Sequence, residues 1–290
     1  MTLLSAVYIA LIVALCATQN VVQKGYNNKV AGKGAITFTA FSSIVALLFF
    51  GTRALILDSL VLPELELIPY AVLYGIGYSM ASIFFLLAIS TGPLSLSALM
   101  ISYSLLVPTA WGIIFDGDVV DYKFYIGISL LVISLFLINS KKEESKISFK
   151  WALFATLGLI GNGMCSTAQS EQSERFRGAY DDTCMIIGLS IVFLLTITIA
   201  LIRERKDMAE CLKRGSHFIA ARGVVNASAN LLVMLVVGLG VNKSLMFPVQ
   251  SASGIVINWM ISVFCYKEKL DMKQSIAVIL GAASIVFLNL

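Results

Sequence analysis

The stretch LMFPVQSASGIVINWMISVFCYKEKLDMKQSIAVILGAASIVFLNL, residues 245–290, decides how the chain is read. An apolar run broken by Pro248 and Gln250 passes through Ser-Ala-Ser-Gly-Ile-Val (251–256) to a charged break, Lys-Glu-Lys-Leu-Asp (267–271). A second apolar run follows and ends at Leu290. Each run has about the length needed to cross a hydrocarbon core, roughly 20 residues, and the break is too short to hold a folded element. The stretch reads as a transmembrane helical hairpin.

Composition extends that reading to the whole chain. Of 290 residues, 58% are hydrophobic and 13% charged, against roughly 25% charged in a soluble domain. An integral membrane protein is expected, multi-pass and in the plasma membrane. The net charge of +4 comes from Lys and Arg in the connections between apolar runs, where they set topology and meet lipid headgroups, so no nucleic-acid partner is implied. Cys16, Cys165, Cys184, Cys211 and Cys265 form no close pair and no metal-ligand spacing, and read as small apolar residues. His217 reads as an interfacial residue, and the first apolar run as a retained helix rather than a cleaved signal.

Ten apolar runs lie near 3–22, 35–57, 67–89, 94–115, 124–139, 151–169, 183–202, 217–239, 245–265 and 273–290. Their connections leave no room for a soluble catalytic domain. The runs themselves carry no nucleophile, metal cluster or carboxylate pair, so an enzyme, a metal and a cofactor are not expected. A shift of 150 residues lays the second half on the first: Asp118 falls on Glu268, Asp121 on Asp271, Lys123 on Lys273 and Asn139 on Asn289. Nearer the start the register slips by one, with Cys16-Ala-Thr-Gln over Cys165-Ser-Thr-Ala-Gln. The fold class expected is therefore all-α integral membrane, ten transmembrane helices as a five-plus-five inverted repeat, with repeats at 1–140 and 150–290. Five spans per repeat is odd, so the second half enters the membrane inverted, and inverted halves exchange conformations around a midplane site.

Several motifs resemble the drug/metabolite transporter superfamily, EamA-type permeases related to the small multidrug resistance proteins. Ser251 stands three residues before Gly-Ile-Val, a charged turn follows at Glu268 to Asp271, and residues 279–290 close the chain as ILGAASIVFLNL. In the first span Leu-Cys-Ala-Thr-Gln-Asn-Val-Val-Gln-Lys (15–24) is similar to the family's polar pair and lysine. The resemblance implies a fold in which the first, third and fourth spans of each half line a central cavity and the fifth packs outside. The small multidrug resistance proteins use a carboxylate in their first span. Here spans one and six have no Asp or Glu before Glu171, which falls just past the sixth span and reads as a loop residue more readily than as a proton carrier.

Polar residues inside a bilayer mark pathways, because they are costly unless paired or wet. Arg222, Asn226 and Asn230 recur every four residues and share one helix face. Gln250, Gly254 and Asn258 do the same in the ninth span, opposite Met100, Ser104 and Pro108 in the repeat. Tyr70, Tyr74 and Tyr78 form a stripe in the third span; Thr18 and Gln19 lie in the first, and Asn162, Ser166 and Gln169 in the sixth. The cavity candidates are Gln19, Tyr74, Tyr78, Ser104, Asn162, Gln169, Arg222, Asn226, Asn230, Gln250 and Asn258. Pro108 and Pro248 are hinge candidates, since each removes a helix hydrogen bond. Arg222 is either an interfacial arginine reaching headgroups or a cavity cation that pairs with a substrate anion.

Lys and Arg concentrate in the odd-numbered connections, among them Lys33, Lys141, Arg205 and Lys267, whereas the even-numbered ones hold few, such as Arg53 and Lys243. The positive-inside rule then places both termini outside, although larger relatives in the family keep theirs in the cytoplasm. The function expected is a secondary transporter of small polar or zwitterionic metabolites, amino acids among them, working as monomer or homodimer with an unnamed coupling ion. A lipid-linked or sugar-phosphate carrier and a non-transporting scaffold are the alternatives.

Overall fold

The computed structural model describes residues 3–91, 100, 103–138, 148–264 and 272–289, and the regular secondary structure among them is α-helical. The helices are α1 (Leu3–Lys29), α2 (Ala35–Ile56), α3 (Ile68–Thr91), α4 (Leu106–Ile114), α5 (Tyr122–Ile138), α6 (Phe149–Arg175), α7 (Asp181–Arg203), α8 (Arg205–Gly238), α9 (Lys243–Phe264) and α10 (Met272–Asn289). Among the described residues α1, α2, α3, α7 and α8 each have a segment long and apolar enough to cross a membrane, as suits a membrane protein. Helix α6 matches α1 in length but is interrupted by Asn162, Ser166, Gln169, Glu171 and Glu174. Its polarity has a structural use described below.

Three boundaries differ from the sequence reading. Helix α1 continues past residue 22 to Lys29, α6 past 169 to Arg175, and α8 begins at Arg205 rather than near 217. Hydropathy ends a span at its first polar cluster, but packing carries the helix on: Tyr26, Val30, Phe38, Cys211 and Ile219 bury one another beyond the apolar runs. The segment 203–214 is thus helical apart from Glu204. The Glu204 carboxylate accepts hydrogen bonds from the Ile36 and Thr37 amides at 3.0 and 2.7 Å and from the Thr37 hydroxyl at 2.7 Å. It satisfies amides that the first turn of α2 leaves without intrahelical acceptors. Nearby, Lys33 pairs with Asp207 at 2.9 Å, which raises the ammonium's pKa.

The helices pack in antiparallel pairs. Helix α2 meets α7 along its length, with Arg53 near the end of α2 bonded to Asp182 at the start of α7, and Glu204 at the far end. Helices α5 and α10 pair likewise, Ser134 donating to the Ala277 carbonyl at 2.6 Å while Gly127 lies against Leu288. The end of α4 sits on the start of α9, where Gly112 approaches Lys243 and Ser244. Helix α3 crosses α6, and α1 crosses α8. Neither α5 nor α10 contributes to the cavity described below.

Pro108 lies in the first turn of α4, not within a long helix. It has no N–H for the Ser104 carbonyl four residues back, which accepts instead from the Val107 amide at 3.0 Å. The chain makes a turn at Ser104 and Leu105 as a result. Pro248 is inside α9.

The α3/α6 crossing depends on glycine. A Cβ at Gly161 would fall 2.7 Å from the Ala81 amide nitrogen and 2.8 Å from the Gly77 carbonyl oxygen, and one at Gly77 would fall 2.7 Å from the Gly161 carbonyl oxygen. These are backbone atoms and cannot move aside alone, so small residues set this helix separation. Gly161→Ala should therefore destabilise the detergent-solubilised protein by about 1–3 kcal/mol, as overpacking does. Gly51→Ala, which meets nothing within 4 Å, should be neutral or gain a few tenths of a kcal/mol from helix propensity; thermal unfolding of the two variants checks the contrast.

Candidate functional site

A cavity of about 690 Å³ is lined by α1, α2, α3, α6, α8 and α9, with Leu105 from the turn before α4. Its volume is within the usual range for small-molecule sites, roughly 300–1,000 Å³. Of the residues expected from the sequence, Gln19, Tyr78, Asn162, Gln169, Arg222, Asn226, Asn230 and Gln250 line it. Ser104 does not, but its hydroxyl accepts from Asn162 Nδ2 at 2.5 Å and so fixes that amide. Tyr74 does not either: it is buried among Ala46, Phe50, Met185 and Leu189, with its hydroxyl unpartnered. Asn258 is on α9, but its side chain lies outside the described residues.

Arg222 is the one charged side chain among the described lining residues, and it is half-buried. Its Nη1 donates to Gln19 Oε1, and the Tyr78 hydroxyl is within hydrogen-bonding contact of it. Among the described residues no carboxylate pairs with it. A guanidinium has five N–H donors in a planar fork, so most of its capacity is left for whatever enters the cavity. Arg222 is thus held by amide and phenol groups rather than reaching for headgroups from the bundle surface.

The remaining polar lining is mostly carboxamide. Gln169 Nε2 donates to the Asn230 carbonyl at 3.0 Å and Asn230 Nδ2 to the Asn226 carbonyl at 3.0 Å, which orients both toward α8 backbone. Gln250 Nε2 donates to Cys16 Sγ at 3.7 Å, and its Oε1 is buried without a protein partner. Asn20, Gln23, Thr39, Ser42, Ser82 and Ser251 also line the cavity and were not among the cavity candidates read from sequence. Asn20 and Gln23 follow Gln19 on α1, and Gln23 is four residues on, so the i, i+4 rule that grouped Arg222 with Asn226 would have found it. The α2 contribution had no such signal, because isolated Thr and Ser in an apolar run are ordinary helix residues.

One end of the cavity reaches Gln23, Ala35, Thr39, Phe85 and Leu86, where α1 ends, α2 begins and α3 approaches its end. The other end is stopped by Ile12, Val13, Val233 and Phe247, members of one apolar cluster with Val236, Val237 and Met246. One helical turn beyond Phe247, Lys243 is only 2% exposed. Its ammonium pairs with Asp116 at 2.9 Å, with Glu171, and with Glu174 at 2.6 Å. Asp118 Oδ2 accepts from the Ser244 amide at 3.0 Å, capping α9. These contacts tie the segment after α4, the end of α6 and the start of α9 together. Glu171 belongs to α6, which runs on past it, and not to a loop. Lys243 sits among the carboxylates that could otherwise gather a metal ion, Asp116, Glu171 and Glu174.

No family model matches this chain, and no curated protein matches it. Among solved structures, 28 chains share the fold. One, described as "Crystal structure of protein", superimposes with a TM-score of 0.78 over 99% of this chain and 96% of its own length at 11% identity. At that identity the likeness is one of fold.

The Lys243 cluster generates a graded expectation. Removing one partner of a buried ion pair costs about 3–5 kcal/mol because the remaining charges are stranded. Lys243→Ala, which strands three carboxylates, should lower the thermal midpoint of the purified protein strongly, and Glu171→Gln less. Glu174→Gln should be nearly silent, since that side chain is 52% exposed and exposed pairs contribute about 0–1 kcal/mol. Equal effects at the three positions would contradict this account of the cluster.

Proposed function

We propose that the protein is a secondary transporter that carries small polar metabolites bearing an anionic group across the membrane, binding them at Arg222. The observation that carries the reading is Arg222, the one cation among the described lining residues, which faces a polar space and pairs with no carboxylate among the described residues. A desolvated guanidinium of this kind favours a carboxylate or phosphate, which it meets with two parallel hydrogen bonds.

The packing pattern supports a ten-span inverted duplication, residues 1–140 and 150–290. Helices α2 and α7, α4 and α9, and α5 and α10 would be repeat mates, and each of these pairs is antiparallel. The crossings α3/α6 and α1/α8 exchange when the halves are swapped, as do α2/α8 and α7/α3. Such a pattern calls for a two-fold axis perpendicular to the helices, in the membrane plane, and that arrangement serves alternating access. The cavity is asymmetric in the way one arm of such a cycle requires, reaching one end of the bundle while Lys243 and its carboxylates close the other. The proposal agrees with the resemblance to drug/metabolite transporters read from the sequence.

Location in the plasma membrane is part of the proposal, and so is an orientation with both termini outside. In that orientation the cavity reaches toward the cytoplasm, at the end bearing Lys33, Arg205 and Lys206. A sugar-phosphate or lipid-linked carrier is a second reading, because Arg222 fits a phosphate as well as a carboxylate. A scaffold would pack its polar faces against one another, and the cavity speaks against that.

Binding and counterflow of a panel of carboxylates and phosphates, with purified protein in liposomes, tests the reading. Arg222→Ala should weaken binding by about 2–5 kcal/mol, the cost of stranding one member of a desolvated pair. Arg222→Lys should recover part of this, because an ammonium lacks the planar fork. Wild-type affinity in a folded Arg222→Ala protein would remove Arg222 from the site and leave Gln250 and Asn230 as the better candidates.

A further inference from the structure

We infer that the cavity takes organic monoanions with an apolar body, in preference to zwitterions, cations and neutral amides of the same shape. This narrows the transport reading above and rests on it for the identity of the site, though binding can be measured whether or not flux occurs.

Charge is the first argument. A zwitterion such as an amino acid offers an ammonium as well as a carboxylate, and a site that binds one well supplies an anion for it. Among the described lining residues there is no Asp or Glu, and Arg222 is the one charged side chain. The carboxylate cluster of Asp116, Glu171 and Glu174 is already engaged by Lys243 beyond the closed end, and Glu204 at the open end is engaged by the Ile36 and Thr37 amides. An ammonium brought into the cavity would exchange water for amide oxygens and feel repulsion from Arg222. A carboxylate also gives up water, but it gains the guanidinium and meets no like charge.

Depth is the second argument. Along α1 the lining runs from Ile12 and Val13 at the closed end to Gln19 beside Arg222. Along α8, which runs the other way, it goes from Val233 back through Asn230 and Asn226 to Arg222. Ile12, Val13, Val233 and Phe247 form an apolar floor continuous with the protein core. From Ile12 to Gln19 is seven residues, roughly 10 Å at 1.5 Å rise per residue. A ligand whose carboxylate meets Arg222 therefore has about that length in which to place an apolar group on the floor, passing the carboxamides of Asn230 and Gln250 on the way. The site is graded from charge to hydrocarbon, so its ligand should be graded in the same sense.

Four probes with one body separate the charge classes: 3-phenylpropanoate, phenylalanine, 3-phenylpropanamide and 3-phenylpropylamine, titrated calorimetrically into the purified full-length protein in detergent. The acid should bind tightest, by roughly tenfold or more over the amide and over phenylalanine, the scale of one charge-assisted hydrogen bond. The amine should bind weakest. Propanoate, which lacks the ring, should lose at least about tenfold, given roughly fourfold for each buried CH₂. Arg222→Gln should level the acid with the amide while keeping the ring's contribution; its thermal midpoint, measured alongside, shows whether it is folded, and Arg222→Lys should retain part of the preference. Tighter binding of phenylalanine or of the amine, equal affinity of propanoate, or no binding of any probe by folded protein would overturn the inference. If the acid binds as expected but liposomes show no counterflow of it, the transport reading fails and the ligand class stands.

Discussion

A charge inside an apolar bundle must be met by a partner or by water, and Lys243 and Arg222 are met in opposite ways. Lys243 is enclosed and surrounded by carboxylates from two neighbouring segments. Arg222 is half-buried, steadied by an amide and a phenol, and faces open space. The first arrangement holds helices together at one end of the cavity. The second leaves a positive charge where a mobile anion can reach it. Because desolvated charges cost several kcal/mol when unpaired, the difference divides a site satisfied within the protein from one open to the cavity.

The rest of the architecture supports that division. Antiparallel pairing of α2 with α7 is fixed at both ends by polar contacts, Arg53 with Asp182 at one and Glu204 with the start of α2 at the other. Glycines at 77 and 161 bring α3 and α6 to backbone contact, which places Asn162, Ser166 and Gln169 beside the cavity. Polar residues on α6 lower its apolar character but supply one wall of the site. Helices α5 and α10 pair with each other away from the cavity, and their sequences are correspondingly apolar.

Much of this was legible in the sequence because a bilayer restricts what a buried polar residue can do. Among the described residues every apolar run overlaps a helix, the fourth through the short α4, and the stripe Arg222, Asn226, Asn230 shares one wall of the cavity because i, i+4 spacing is a property of the helix itself. Tyr74 was misjudged on the same rule: its stripe with Tyr78 is real, but the packing of neighbouring helices determines which member of a stripe meets the cavity, and Tyr74 is turned against α7. Span ends were also missed. The segment after residue 22 and the segment 203–214 are polar, and only tertiary contacts such as Tyr26 with Phe38 and Cys211 show that the helices continue through them. The role of Lys243 was invisible for a related reason. Its partners Glu171 and Asp116 lie 72 and 127 residues away in sequence, and in a linear reading it is one more basic residue in a connection. The charged turn at Glu268 to Asp271, which contributed to the family resemblance, lies outside the described residues.

The central claim is that the cavity communicates with one face of the membrane while the Lys243 cluster closes the other. The most direct test is reagent access from each face to a single cysteine at Ser82, which lines the cavity, in a variant stripped of native cysteines and reconstituted with known orientation. A membrane-impermeant thiol reagent should label this cysteine from the face where α1 ends and α2 begins, and only slowly from the face bearing Lys243. Lys243→Ala should speed labelling from that second face. Rapid labelling through the Lys243 face with the lysine intact, or no labelling from either, would contradict the account.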